Sequence, residues 1–326
     1  MRAGYGFQPD RLPLAGQTPT EQAAQLQAWG LDAVFGGYDS PAFMAAAHRA
    51  GLRVYAEFNC FAGLRHWQDF PHSRPLTAAG APLEPIDGYY GANPADPALR
   101  QGRWQALADL LRAYPVDGVW LDFIRWPGRW ERPDPALPLT SFDAATLAQF
   151  SQETGIPGPL RAEDILSQHR AAWTAWRIEQ VRAWVAQARA LVDQIRPSAA
   201  LGLFSLPWLP ADFDGAILNV IGQDVRLLAP YIDYFSPMVY HRMCGRPVNW
   251  IGEITAGQRA LTGKPIIPII QSIDHPDTLP PDEYAEALQT ALHHPDSAGV
   301  MIFTLDGVLS SPERLRYTQA VFTNGG

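Results

Sequence analysis

The 326-residue sequence predicts a single (β/α)8 (TIM) barrel. Three observations predict it. Short apolar runs rich in β-branched and aromatic residues alternate with longer segments of helical spacing from one end of the chain to the other. The runs number eight, and each intervening segment is long enough for a crossover helix, so the strands should pair in parallel and close. The turn after the first run, GFQPDRLPLAG, lacks the GxGxxG pattern of a doubly wound sheet. Length alone allows two domains at about 150 residues each, but barrels of roughly 250 residues or more are single domains. The expectation is one domain over 1–326.

In order along the chain, strands are expected at Ala3–Phe7, Ala33–Gly36, Arg53–Phe58, Asp117–Phe123, Ala200–Leu206, Tyr234–Tyr240, Pro265–Gln271 and Gly299–Leu305. Helical patterns fall near 20–29, 41–50, 97–113, 142–154 with 166–195, 222–229, 248–262, 281–294 and 311–322. Start signals accompany them: Thr20 precedes EQAAQLQAWG, and Ser40 precedes PAFMAAAHRAG with Pro41 at the first helical position. Two insertions, 60–96 after the third strand and 124–141 after the fourth, leave the C-terminal ends of strands, where barrels build their active sites. Loops longer than about 12–15 residues are uncommon unless functional or disordered. These two hold Trp67, Tyr89, Tyr90, Trp126 and Trp130, either a satellite core or a stacking platform for a ring-shaped ligand.

Composition narrows the chemistry. Hydrophobic residues make up 47% and charged residues 18%, enough apolar material for a large core. The net charge of −8 disfavours nucleic acid as a partner. Lys264 is the one lysine and lies at the N-terminal edge of the seventh strand, the wrong end for Schiff-base catalysis. Cys60 and Cys244 form no CxxC pair and read as free thiols. No stretch of about 18 apolar residues offers a membrane span, and MRAGYGFQPDRL lacks the apolar run of a leader. A soluble, cytoplasmic chain is expected unless a leader has been removed. The end of the first strand carries no HxH pair, and no GxSxG elbow or phosphate loop occurs, so neither a metal nor a cofactor is expected.

Side chains alternate along a strand, which selects the residues that can reach the barrel mouth. In the fourth strand Trp120 and Asp122 share the inward face, while Val119, Leu121 and Phe123 should meet the helices. In the third, Tyr55 and Glu57 point inward. Two carboxyls on adjacent strands, one able to protonate a leaving oxygen and the other to activate water or stabilise positive charge, are what acetal cleavage needs. Structural ion pairs are the competing reading, for Asp122 with Arg125 or Arg53. The sixth strand places Ser236, Met238 and Tyr240 inward with His241 past the rim. Gln271 closes the seventh, Asp274 follows it, and Asp306 ends the eighth. A tyrosine hydroxyl, an amide and acids around one mouth suit a polyhydroxylated ligand.

The segment NPADPALRQGRWQALADLLRAYPVDGVWLDFIRWP resembles glycoside-hydrolase-like (β/α)8 barrel families related to the hydrolase domain of poly-N-acetylglucosamine-processing proteins. Its matching residues are Asp117, Gly118, Asp122, Arg125, Trp126 and Pro127. IGQDVRLLAPYIDYFSPMVY is similar to the same families' fifth helix and sixth strand, through Gln223, Asp224, Asp233, Pro237, Met238 and Tyr240, and Gln271 matches the glutamine closing strand seven. The resemblance spans roughly residues 1–310 and implies glycosidic-bond hydrolysis with Asp122 as the leading carboxylate. The sequence departs from the DxxDxDxE of family 18 chitinases, since DGVWLDFIRWP has Trp120 at the middle acidic position and lacks the final glutamate. Phe123 also stands where some related families carry a second aspartate, which puts Glu57 ahead of Asp274 and Asp306 as the second carboxylate.

The resulting expectation is a glycoside hydrolase acting on an oligo- or polysaccharide. Asp122 and Glu57 would be catalytic, with Trp120, Arg125, Trp126, Tyr240, His241, Gln271, Asp274 and Asp306 around the sugar. A barrel that binds carbohydrate without cleaving it is the alternative, and a metal-free lyase or isomerase a third reading.

Overall fold

Eight parallel strands close into a barrel in chain order: β1 (Arg2–Phe7), β2 (Ala33–Gly36), β3 (Arg53–Asn59), β4 (Gly118–Asp122), β5 (Ala200–Ser205), β6 (Tyr234–Val239), β7 (Ile269–Gln271) and β8 (Val300–Phe303). The closing pair, β1 with β8, aligns Arg2 with Val300 and Gly4 with Ile302. The computed structural model describes residues 1–11 and 13–323. Among these, no helix is long and apolar enough to cross a membrane.

The element ends differ from the sequence expectation where local chemistry intervenes. The first helix, Pro19–Ala28, is capped by Thr18 rather than Thr20, because Thr18 and Glu21 form a reciprocal capping box. β7 keeps three residues of the seven expected: Pro265 and Pro268 have no amide hydrogen, and Ile266 makes only isolated bridges to Phe235 and Ser297. β8 stops at Phe303 because Thr304 caps a short helix, Leu305–Leu309. The pattern near 222–229 yields a single turn, Val225–Leu228, fenced by Gly222 at φ 69° and by Pro230.

The barrel interior is a packed aromatic core. Trp120 fills its centre, fully buried, against Phe35, Tyr55 and Tyr234, with its Nε1 donating to Ser236 Oγ at 3.0 Å. Gly202 makes this possible: a Cβ there would lie 2.1 Å from the indole. Outside the barrel, Val119 and Leu121 join a second apolar cluster under the helices Pro97–Ala113 and Arg170–Ile195.

The segments after β3 and β4 are tied to each other. Thr77 bridges Thr140, the Ser141 amide donates to Leu76 O at 2.8 Å, and Arg132 reaches Asp87 at 3.3 Å. Together they form one cover beside the C-terminal ends of β3 and β4.

Candidate active site

A cavity of about 400 Å³ opens at the C-terminal end of the barrel. The strands contribute Tyr5 from β1, Glu57 from β3, Asp122 from β4, Met238 from β6 and Phe303 from β8, with Tyr240 just beyond β6. The segment after β4 adds Phe123, Arg125, Arg129, Trp130 and Glu131. A cleft of about 460 Å³ lies on the flank, beside helix Ala144–Thr154, and is lined by no strand residue. Its acids, Asp96 and Asp143, are occupied as helix caps. The mouth cavity is therefore the site where strand-borne chemistry can act.

Asp122 pairs in register with Asn59, and Trp120 with Glu57, so Glu57 stands one inward step deeper in the barrel than Asp122. Burial, and then the neighbouring Glu57, hold the Asp122 carboxyl well above the usual carboxylate range, against the opposing pull of the Phe123 amide and Arg125. The Phe123 N–H donates to Asp122 Oδ1 at 2.7 Å. Glu57 Oε2 accepts a hydrogen bond from the Tyr5 hydroxyl. Burial and the charge of Glu57 raise the Tyr5 phenol, which keeps it a donor. Neither carboxyl is engaged by an ion pair among the described residues; Arg53 goes to Asp32 instead. Two carboxyls in different surroundings thus face one cavity.

The walls are aromatic. Tyr240 lies between Trp130, at a centroid distance of 5.6 Å, and Phe303, at 4.9 Å, both nearly parallel to it. Arg125 is almost wholly buried and braces the wall, donating to Gly128 O at 2.6 Å and to the Tyr89 hydroxyl at 3.1 Å while lying over the rings of Tyr89 and Phe123. Phe123 departs from the alternation that should have sent it to the helices. Its φ of 51° places it in the left-handed region at the exit of β4, and its ring turns to the mouth, stacked on Tyr89. A bulky residue in that region is strained, and such strain gathers at functional sites.

Of the residues expected at the site, the cavity brings together Asp122, Glu57, Arg125 and Tyr240. The other six lie elsewhere. Trp120 is sealed in the barrel core below the cavity. Trp126 is buried under the outer helices, with Arg177 over its ring at 4.3 Å and its Nε1 on Arg177 O. His241 is buried and pairs with Glu283 at 2.9 Å. Gln271 is spent on the backbone, accepting from the Met243 amide and donating to Ile273 O and His275 O. Asp274 pairs with Arg314 and accepts from the Leu279 amide. Asp306 forms an exposed pair with Arg11 at 2.7 Å. Trp120 points inward as parity predicts but lies below the cavity, and Gln271 ends β7 with its amide taken by backbone groups, while Trp126, His241, Asp274 and Asp306 lie beyond the strand ends.

Sequence reasoning also passed over cavity residues. Tyr5 shares its parity with Ala3 in β1, and that alternation could have found it. Arg129 and Glu131, which form an ion pair, sit in irregular chain where no periodicity marks a direction. Between them Trp130, one of the loop aromatics singled out in the sequence, lines the cavity with its ring on Tyr240.

No protein-family model and no curated protein matches the sequence. Solved structures do match its fold. The β-galactosidase from the psychrophilic Marinomonas ef1 superposes with a TM-score of 0.72 at 12% identity, over 100% of this chain and 59% of that one. The β-galactosidase from Bacillus circulans sp. alkalophilus gives 0.70 at 11% identity, over 99% and 55%. The fold shared with these structures is the (β/α)8 barrel. An α-L-fucosidase isoenzyme from Paenibacillus thiaminolyticus gives 0.62 at 12% identity, over 99% of this chain and 49% of that one. The chain spans between about half and three fifths of these proteins. Identity this low makes the likeness one of architecture, and none of these neighbours bears on poly-N-acetylglucosamine.

Proposed function

We propose that the protein is a glycoside hydrolase that cleaves an oligo- or polysaccharide by carboxylate chemistry. The observation that carries this is the pair of carboxyls in unlike surroundings in one cavity: Asp122, whose carboxyl burial and the charge of Glu57 hold well above the usual carboxylate range, and Glu57, which accepts from the Tyr5 hydroxyl. Environments that separate two carboxyls in this way assign an acid and a base. Asp122 donates its proton to the departing glycosidic oxygen. Glu57 meets the positive charge that develops at the anomeric carbon, as nucleophile or as base toward water. Tyr240, Trp130 and Phe303 offer the sugar a flat apolar face. The glycosidase-type fold of the structural neighbours supports the same reading.

The test is incubation with a panel of amino-sugar, galactosaminoglycan and neutral glycans, with new reducing ends as the readout. The resemblance of the sequence puts amino-sugar glycans first. Release of reducing ends that Asp122→Asn abolishes is the expected result. Binding without any cleavage would favour a carbohydrate-binding barrel, and unsaturated products a lyase.

A further inference from the structure

Gln271 does not line the mouth cavity, yet it holds three residues that do. Its carboxamide, fully buried at the end of β7, accepts from the Met243 amide at 3.1 Å and donates to Ile273 O at 2.9 Å and His275 O at 2.5 Å. Met243, Ile273 and His275 all line the cavity. One backbone donor and two backbone acceptors thus surround this side chain, and a carboxamide is the group that carries an acceptor oxygen and two N–H donors. A glutamate could not donate twice, a methionine could neither donate nor accept well, and an asparagine is one methylene shorter. The turns that Gln271 joins leave different strands, β6 for Met243 and β7 for Ile273 and His275. The β7 exit has a second, separate anchor in Arg314 of the last helix, Pro312–Thr323, which donates to Ser272 O at 2.9 Å and to Gly307 O at 3.2 Å and pairs with Asp274. Arg314 therefore ties this segment to the body of the protein, while Gln271 sets its position against the β6 turn. In the closed order of eight strands β7 stands four strands from β3, so these turns lie across the mouth from the strand that carries Glu57. His275 is exposed there, at the rim.

We propose that Gln271 is a positioning residue: by locking the β6 and β7 exits to each other it holds His275 against the mouth and sets ligand affinity without touching the ligand. A wall fixed before binding spares the ligand the cost of ordering it. The proposal rests on the glycosidase reading for the class of ligand, but it concerns binding and can be tested without turnover.

The experiment is a double-mutant cycle read by titration calorimetry with chitotriose and β-1,4-galactotriose, in the full-length Asp122→Asn background. Gln271→Met and His275→Ala should each weaken binding of at least one sugar about tenfold, the weight of about one hydrogen bond. The double variant should be no more than about threefold weaker than the weaker single one, because Gln271 acts through His275. Two effects that multiply to about a hundredfold overturn the proposal, as does unchanged affinity in either single variant or failure of both sugars to bind. Should Gln271→Met not fold, Gln271→Glu takes its place: it keeps an acceptor for the Met243 amide, which should stay protected from hydrogen exchange, and sets a carboxyl against the two carbonyls. Affinity equal to that of the parent in this variant overturns the proposal. If neither Gln271 variant folds, His275→Ala decides it: unchanged affinity overturns the proposal, and a tenfold loss supports it. A wild-type protein that binds a sugar in this pattern and cleaves no glycan of the panel supports the role of Gln271 and overturns only the hydrolytic reading. Cleavage that Gln271→Met leaves unchanged in kcat and KM overturns only the role of Gln271.

Discussion

Asp122 and Glu57 reach the same cavity from adjacent strands at different depths, because Asp122 is level with Asn59 and Glu57 with Trp120 in the β3–β4 ladder. Two inward positions on one strand are separated by about 6.6 Å of rise. The deeper carboxyl is the longer side chain and takes its partner from two strands away, Tyr5 on β1, while the shallower one accepts its neighbour's amide. One backbone register thus gives two chemically similar groups different surroundings.

Asp122→Asn should lower kcat by about 10²–10⁴-fold, the usual weight of a general acid. The fold should survive, since the amide keeps an acceptor for the Phe123 N–H. Steady-state rates beside a thermal melt check both halves; full activity in this variant would remove Asp122 from the mechanism.

The same variant should be the more stable protein at high pH. Asp122 has a folded-state pKa raised by burial and by Glu57, so the folded chain holds a proton that the unfolded chain has already released. Its contribution is fully present below the unfolded pKa of about 3.9 and is lost as pH rises through the folded value. Asp122→Asn escapes that loss. Its Tm should match the wild type near about pH 4 and exceed it near about pH 8, a crossover that melts at the two pH values would show.

Glu57→Gln should lower the Asp122 pKa, because the charge of Glu57 is the second cause of its elevation after burial. Carboxyl ¹³C titration reads this without activity. An Asp122 midpoint that stays in place would mean that burial alone sets it.

Tyr5→Phe removes the hydrogen bond to Glu57 Oε2 and leaves the ring packed on Phe35, Phe204 and Phe303. Hydrogen bonds to charged groups contribute about 1.5–3 kcal/mol, so kcat should fall roughly 10–150-fold while KM moves little. A change confined to KM would assign Tyr5 to substrate binding instead.

Gly202→Ala tests the core beneath the site. The new methyl would meet the Trp120 indole at 2.1 Å, and overpacking of this kind costs about 1–3 kcal/mol. Urea unfolding should register the loss. Activity should fall with it if Trp120 shifts β4 and carries Asp122 along.

Much of this protein was legible as a string. Hydrophobic alternation located all eight strands to within a few residues at either end, apart from β7, where prolines emptied half of the expected ladder. Strand parity placed Trp120, Asp122, Tyr55 and Glu57 inward, since a period of two fixes direction wherever the backbone stays extended. Direction was lost where the strand stopped. His241 and Asp274 lie past strand ends, Gln271 is the last residue of β7 and Asp306 sits in the short helix after β8, and there the partners Glu283, Arg314, the Met243 amide and Arg11 decide where each side chain goes.

The sequence by itself determined the barrel and the inward direction of Glu57 and Asp122, because both follow from periodicity and spacing along the chain. Only the tertiary structure decided that Phe123 turns inward at a left-handed φ, that Tyr5 reaches past β2 to Glu57, and that Arg129, Trp130 and Glu131 complete the cavity wall. Those facts arise from contacts between residues distant in the chain, whose energies depend on three-dimensional neighbours that no local pattern encodes.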